Sequence, residues 1–597
     1  MCEVRDPEYE ISRSIEGQWQ ILVRLPGVLK GKEVEVDVVE NSSLEIGVTG
    51  KYRLQVVVPD DISTESAKVQ FSRRDQVMRI TCPKRASQPA EGNFQSGVVP
   101  NASVKSLAAA TRDTAPATQL LLNKFRDFPA ELKESASQGR HVCAKEDLLP
   151  GNLVFQEEPL VSVIHDKYVE TLCHECYTHF VNRGCTPIRC PGCKWAMYCG
   201  EACLQKARQR HADVCPVLHT WVTTNSGPKD SRGLRMLVQA AALHARDPEA
   251  AGLINLLQSH ISGKSKAELT RLHNMAQGVQ RFLPSNASLD MDTIVEVISK
   301  AHVNLHGVSD AAGHTLGTGL FVGASQFNHS CLPNCVVSYI DGALTVRAIS
   351  PVKKGEPLCI GYIELYQSRE IRRHSLMQSK SFHCECLRCS SQELIQLDEP
   401  LTAWRCEKCT EGWVAETAQR CWKCHEYLAV DKESRTQAVA ECKAAQMAAT
   451  EHMQAGRFGD SQRMLTSILE ETQQRLHACH EVRFAAHSLL AAVYAETKLW
   501  EASAKQGKLA IKCMRKVFPK NHPALASTQV QVGDAIVEHL GVKRAAKAGD
   551  KEQQKEALKL YEGAGRILRL AYGSEHTDVA DIRMKEALLR EALGARS

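Results

Sequence analysis

No apolar run in the 597-residue chain approaches the ~18 residues that cross a membrane as a helix, so no membrane span is expected. The opening, Met1-Cys2-Glu3-Val4-Arg5-Asp6, lacks an apolar core behind a basic end, and a secretory signal is not expected either. Charge of one sign is not in excess. The net charge is +5, which gives no indication of a nucleic-acid partner. What the chain has is cysteine. There are 24, and without an export signal they are expected as reduced thiols, with clustered ones serving as metal ligands rather than disulfides. At ~150 residues per domain the length suggests about four domains.

Residues 8–84 read as strands. Trp19, Ile21, Val23 and Leu25 alternate with polar residues. So do Val34, Val36 and Val38, then Leu44, Ile46 and Val48, then Tyr52, Leu54, Val56 and Val58. Period two, with turn residues at Pro26-Gly27, Asn41-Ser42 and Pro59-Asp60, predicts a small all-β sandwich. Residues 85–120 are rich in Ala, Ser, Thr and Pro without an apolar period and read as a linker. Leu234, Leu237, Val238 and Ala241 have helix spacing and open a helical stretch within 216–300. Short strand-like runs return at 319–365. From 435 to 590 the reading is helical throughout, as in Ala485-Ala486-His487-Ser488-Leu489-Leu490-Ala491-Ala492-Val493-Tyr494. Val517-Phe518-Pro519-Lys520-Asn521-His522-Pro523 is echoed by Ala571-Tyr572-Gly573-Ser574-Glu575-His576-Thr577. The echo resembles tetratricopeptide-type helix pairs, and the segment is expected to form a helical wall that binds peptide or closes over a neighbour.

The first cysteine cluster reads Cys173-x-x-Cys176, Cys190-x-x-Cys193, Cys199-x-x-x-Cys203 and His211-x-x-x-Cys215. Zn²⁺ takes four soft or borderline ligands in a tetrahedron, and a pair two or three residues apart supplies half of one. Eight ligands in four pairs make two closed sites, with no coordination position left for chemistry. Cys384-x-Cys386-x-x-Cys389 has three ligands and needs a distant fourth. Cys406-x-x-Cys409 with Cys421-x-x-Cys424 reads as a zinc-ribbon-like knuckle, which brings the zinc sites from three to four. Cys442, Cys479 and Cys513 are expected as packed thiols.

Asn328-His329-Ser330-Cys331-Leu332-Pro333-Asn334-Cys335 is followed by Gly355-Glu356, Ile360-Gly361-Tyr362 and Phe382-x-Cys384-x-Cys386-x-x-Cys389. This order resembles a SET domain with its post-SET cysteines, and implies Cys331 as the missing fourth ligand. The paired order at 173–215 matches the MYND finger, whose pairs interleave. The resemblance implies one site of Cys173, Cys176, Cys199 and Cys203 and another of Cys190, Cys193, His211 and Cys215. A finger inserted after Gly139-Arg140-His141-Val142-Cys143-Ala144 and before Asn328 resembles the SET-and-MYND family of lysine methyltransferases over about 121–590. Arg24-Leu25-Pro26-Gly27-Val28 and Val57-Val58-Pro59 resemble the CS-like domain of PIH-type co-chaperones. The fold expected is therefore multidomain α+β. A CS-like β-sandwich (8–84) and linker (85–120) precede the first SET part (121–170), the MYND finger (173–215) and a helical insert (216–300). The SET core (301–370), post-SET (380–390), zinc knuckle (400–427) and tetratricopeptide-like domain (435–590) follow.

The resemblance implies S-adenosylmethionine as cofactor, with zinc. Gly139 and Arg140 would serve its methionine end, Asn304 would contact it, Asn328 and His329 would hold its amino and adenine groups, and Phe382 would pack on the adenine. Tyr362 matches the family's active-site tyrosine, both catalytic and cofactor-facing. Methyl transfer to an amine is an in-line displacement that needs the lysine deprotonated from its usual pKa of ~10.4. An apolar channel beside a cationic sulfonium lowers that value by desolvation and like charge. Three departures from the family pattern bear on this. His141 stands where a second glycine is usual, Pro357 where a second acidic residue is usual, and Lys380 where an aromatic usually lines the lysine channel. The expected function is a protein-lysine N-methyltransferase of histone or non-histone substrates in the cytoplasm or nucleus. The alternative is a non-catalytic zinc-binding adaptor joining heat-shock chaperones to proline-containing peptides.

Overall fold

The computed structural model describes residues 116–224, 230–310, 314–409, 411–415, 418–427, 432–541 and 550–594, with seven strands of the first hundred residues and the short strand Lys105–Ser106. The chain divides into two units, Met1–Pro100 and Asn101–Ser597.

In the first unit, alternation becomes pairing. Glu8–Arg13, Trp19–Arg24, Val77–Cys82 and Lys68–Ser72 form an antiparallel sheet in that spatial order, and Val34–Val39, Ser43–Val48 and Tyr52–Val57 form another. The register sets Ile11 opposite Ile21, Ile21 opposite Ile80 and Ile80 opposite Val69. A slip of one residue would move every such row to the other face, so the period-two pattern excludes odd slips of the register.

The second unit begins inside the stretch read as linker. Lys105–Ser106 pairs with Lys133 and Glu134, and a helix covers Pro116–Asn123. Proline at the first helical position loses only an N–H that has no partner there. Leu121 and Phe125 are buried in the core. Three apolar residues after a long Ala/Ser/Thr run are too few to show a period, which is why this helix is missed in the sequence. The remainder of 85–115 lies outside the described residues.

Small sheets then frame one core. Gly139–Ala144 pairs with Ala130–Ser135. Leu153–Glu157, Ala343–Ala348 and Cys335–Ile340 form a second sheet, and Val161–Ile164, Thr315–Leu320 and Leu305–Ser309 a third. Phe155 stacks on Phe125 at 4.6 Å and meets Phe327 at 5.7 Å. The stretch 216–300 is helical as expected, with helices Arg232–Arg246, Pro248–Asn255, Lys266–Phe282 and Met291–Asn304.

Seven helices follow among the described residues, Lys432–Gln454, Phe458–Thr472, Glu481–Glu496, Trp500–Val517, Pro523–Leu540, Asp550–Tyr572 and Thr577–Gly594, each packed on the next. The sequence echo has a structural cause. Phe518 lies 4.8 Å from His522, and Tyr572 lies 4.8 Å from His576. Each histidine then accepts at Nδ1 from the backbone N–H two residues on, at 3.3 Å, which caps the next helix. Tyr366 ties this array to the core. Its ring stacks on Phe484 at 3.7 Å and its hydroxyl donates to the Cys479 carbonyl at 2.9 Å.

Candidate active site

The strand Asn328–His329 runs parallel to Cys359–Ile360, and Ser330 N donates to the Ile360 carbonyl at 3.0 Å. Two segments about thirty residues apart in sequence are thereby held side by side, and Tyr362 emerges where they meet. Its backbone N–H donates to His329 Nδ1 at 3.0 Å, and its hydroxyl donates to the Phe327 carbonyl. Burial pushes the phenol pKa up, so the hydroxyl keeps its proton at neutral pH.

Around this tyrosine is a cavity of about 610 Å³, within the roughly 300–1,000 Å³ range of small-molecule sites. Gly139, Arg140, Asn304, Asn328, Tyr362 and Phe382 all line it. Gly139 holds φ at +59°, in the left-handed region that glycine enters without steric penalty, and so turns the strand at the cavity edge. Asn328 Nδ2 donates to the Gln138 carbonyl at 3.1 Å. The Arg140 guanidinium donates to the Leu256 carbonyl, and Asn304 Nδ2 donates to the carbonyls of Gln258 at 2.9 Å and Lys300 at 2.8 Å. These last two side chains pin the segment after the helix Pro248–Asn255 to the rim, where Gln258 and His260 join the lining.

The His329 side chain lies behind Tyr362. It does not line the cavity. Burial lowers its pKa to about 4, so the ring is neutral. Its Nδ1 accepts from Tyr362 and its Nε2 faces Cys331 Sγ at 3.2 Å. With Nδ1 an acceptor, the proton sits on Nε2 and points at the sulfur. Both ring nitrogens are engaged within the protein, and the side chain links the tyrosine to a cysteine cluster. His141 is likewise buried away from the cavity, its Nδ1 2.9 Å from the Gly139 carbonyl. Pro357 forms a bridge with Cys143, and its carbonyl accepts from Asn334 at 2.9 Å. Lys380 does line the cavity; its ammonium donates to the Val303 carbonyl and lies 5.5 Å from the Tyr362 ring centre.

The cysteine clusters gather into four groups. Cys173, Cys176, Cys199 and Cys203 form one group, and Cys190, Cys193, His211 and Cys215 another. Cys331, Cys384, Cys386 and Cys389 form a third, and Cys406, Cys409, Cys421 and Cys424 a fourth. Ligand atoms in each group lie within 4.8 Å of one another. A Zn–S bond of about 2.3 Å gives a tetrahedral S–S edge of about 3.8 Å, and about 3.5 Å for S–N. The Sγ–Sγ distances include 3.7 and 3.5 Å in the first group, 3.7 Å in the second, 3.9 and 3.6 Å in the third, and 3.7 and 3.8 Å in the fourth. Cys193 Sγ to His211 Nε2 is 3.4 Å. Four separate thiol sets at these edges fit zinc. Cys185 stays outside, directed at the Phe180 carbonyl.

Residues 139–363 match the family model of the SET domain. The chain carries a SET domain. It is also homologous to proteins named as lysine methyltransferases. It is 25% identical over 410 residues to Histone-lysine N-methyltransferase ASHR1 of Arabidopsis thaliana, covering 65% of this chain and 82% of that one. It is 28% identical over 267 residues to Histone-lysine N-methyltransferase SMYD3 of Mus musculus, covering 43% and 61%. With N-lysine methyltransferase SMYD2 of Homo sapiens it shares 22% over 465 residues, covering 76% and 96%. The chain thus spans about three-fifths of SMYD3 and most of ASHR1 and SMYD2.

The SET domain opens at Gly139 and ends beside Tyr362, and contains the first two cysteine groups and the helical insert. Phe382 and the Cys384–Cys389 segment lie beyond it in sequence and return to it through Cys331. Two positioning groups escape a sequence reading. Glu157 is buried, and its carboxylate accepts from the Gly323 and Ala324 N–H groups at 3.1 and 3.0 Å and from Lys124 at 2.8 Å. It holds the turn that delivers Phe327 and Asn328. Arg372 and Arg388 are fully buried beneath the third cysteine group and share Asp398. The one signal available is a charged residue at a core position of a strand or helix period.

Proposed function

We infer that this chain is an S-adenosylmethionine-dependent protein-lysine N-methyltransferase, with the reaction in the cavity beside Tyr362. The observation that carries this is convergence. Gly139, Arg140, Asn304, Asn328, Tyr362 and Phe382 come from segments spread over about 240 residues and meet at one cavity, in or next to the stretch that matches the SET domain.

When bound, S-adenosylmethionine supplies the methyl group. Gly139, Arg140, Asn304 and Asn328 would hold its polar ends and Phe382 its ring, with His329 acting from behind by placing the Tyr362 backbone. The Tyr362 hydroxyl, anchored on the Phe327 carbonyl, offers its lone pairs to the incoming nitrogen. No carboxylate lines the cavity among the described residues, and burial lowers the pKa of its two histidines, His260 and His306, the latter to about 3, which makes them weak bases. The target amine loses its proton to water, favoured because desolvation and nearby positive charge lower its pKa. The protein's contribution is then positioning, which is worth roughly 7–11 kcal/mol in well-oriented reactions.

The four groups are read as four structural zincs, the first two as an inserted MYND finger. The two sheets of residues 8–82 support a CS-like β-sandwich, and the capped helix pairs of 432–594 a tetratricopeptide-like wall. Both are modules that suit contact with chaperones, and a MYND finger suits proline-containing peptides. Free thiols at the described cysteines suit the cytoplasm or nucleus. Among the described residues no helix is long and apolar enough to cross a membrane.

The test is incubation of the purified protein with labelled cofactor and a protein extract, comparing wild type with Tyr362→Phe. Loss of one oriented hydroxyl at a reacting centre is expected to reduce labelling roughly 100-fold while calorimetric cofactor binding persists. Equal labelling by both proteins sinks the role of Tyr362, and no binding with no labelling sinks the activity.

A further inference from the structure

Lys380 is an unpaired cation at the reaction site. It is the last residue of the helix Arg369–Lys380, half-buried, and its ammonium has one hydrogen-bond partner, the Val303 carbonyl, beside the face of Tyr362. It has no carboxylate partner among the described residues. The rest of the cavity wall offers none either. Among the described residues its charged and titratable members are Arg140, His260, His306, Tyr339, Tyr362 and Lys380, with no aspartate or glutamate. Burial lowers the pKa of Lys380 and, with Lys380 nearby, that of His306 to about 3. Desolvation is the cause at Lys380 and the larger cause at His306, where the Lys380 charge adds to it. A buried cation without a counter-charge is costly, and bringing a carboxylate to it recovers Coulomb energy, while a second cation adds repulsion.

We propose that Lys380 sets substrate choice by pairing with a carboxylate beside the target lysine, so that this chain methylates lysines flanked by aspartate or glutamate in acidic segments and disfavours lysines in basic runs. This rests on the methyltransferase reading above and adds the charge of the substrate to it. The other anion that reaches such a site is the cofactor's own carboxylate, and the experiment separates the two.

The assay is an array of peptides with one central lysine, its flanking positions occupied by Asp, Asn or Arg, labelled with the methyl-tritiated cofactor. Wild type is expected to label Asp-flanked above Arg-flanked peptides by roughly tenfold, the ratio of a single partly screened charge contact. Lys380→Met should level the series, and Lys380→Glu should invert it. Zinc content and thermal unfolding establish that each variant is folded, and Lys380→Met keeps the test available if Lys380→Glu is not. An unchanged order in a folded variant overturns the proposal. So does a wild-type preference for Arg-flanked peptides, or cofactor affinity that falls in Lys380→Met while the peptide order stands. If cofactor binds and extract proteins are labelled but no Asp-flanked peptide is, the proposal fails and the activity stands. If neither occurs, the activity itself fails and takes this inference with it.

Discussion

Asp398→Asn removes one proton-accepting charge from a place with no solvent to replace it. The side chains of Arg372 and Arg388 are 0% exposed and that of Asp398 is 8%. Asp398 Oδ2 accepts from Arg372 Nη2 at 2.6 Å, and Oδ1 accepts from Arg388 Nη2 at 2.7 Å and Nε at 3.0 Å. The remaining Arg388 nitrogen donates to the carbonyls of Cys331 at 3.0 Å and Leu365 at 2.9 Å, and Arg372 also faces Cys389 Sγ at 3.6 Å. The carboxylate therefore joins two guanidiniums that grip the third cysteine group. Unit charges about 4 Å apart at an effective dielectric of about 20 interact by about 4 kcal/mol. Losing two such attractions is worth roughly 8 kcal/mol before relaxation. Water entry and repacking bring the measured cost of breaking a buried pair to about 3–5 kcal/mol. Four thiolates on a zinc offset part of this, so the metal-loaded protein should show the lower figure. The assay is zinc release to a colorimetric chelator in rising urea. Asp398→Asn should release one zinc at lower urea than wild type, ahead of the rest. Asp147→Asn, which breaks the exposed contact with Lys353, should leave release unchanged. The reasoning is refuted if Asp398→Asn costs less than about 1 kcal/mol and releases zinc with the wild type.

Three further outcomes follow from other parts of the fold. A Cβ on Gly317 would meet Tyr177 Cε1 and the Val163 carbonyl, both at 2.5 Å, in the central strand of its sheet, so Gly317→Ala should cost about 1–3 kcal/mol and lower the thermal midpoint; an unchanged midpoint contradicts the packing. Burial holds His522 at about 4 against an ordinary 6.5. The unfolded chain therefore binds the extra proton, and stability present above pH ~6.5 is lost progressively as the pH falls towards about 4. His522→Asn keeps a side-chain cap without that titration, and should move acid unfolding to lower pH by recovering about 1–3 kcal/mol; an unmoved acid limb argues against it. Cys421→Ser should lower the zinc content by one per chain and leave cofactor binding in place, and an unaltered metal count would remove zinc from the fourth group.

The strands from Trp19 to Val57 are legible because period two marks them, whereas the pairing that sets Ile11, Ile21 and Ile80 in a row is not, because a slip of two residues keeps the same face. The helix Pro116–Asn123 was not, because eight residues in an Ala/Ser/Thr-rich setting carry too little period to count. Six of the seven expected cofactor residues line one cavity. The ring of the seventh, His329, faces Tyr362 and Cys331, a direction that sequence order cannot give when the segment is threaded beside another. Glu157 and Asp398 were not singled out at all. A carboxylate reads as surface until the three-dimensional fold encloses it with backbone N–H groups or guanidiniums.

By itself the sequence determined the half-sites, while which pairs join, and that Cys331 completes the third group, is decided by the fold. Metal coordination demands residue types at short spacings, and Cys-x-x-Cys supplies half a tetrahedron wherever the chain later goes. Local order likewise determined where helices cap, at His522 and His576. Only the tertiary structure decided what those pieces enclose. It turned His329 inward to join Tyr362 to Cys331, buried two arginines on one aspartate, and left the Lys380 ammonium in the cavity with a carbonyl for a partner. Each depends on contacts between segments tens of residues or more apart, whose mutual approach no local pattern encodes.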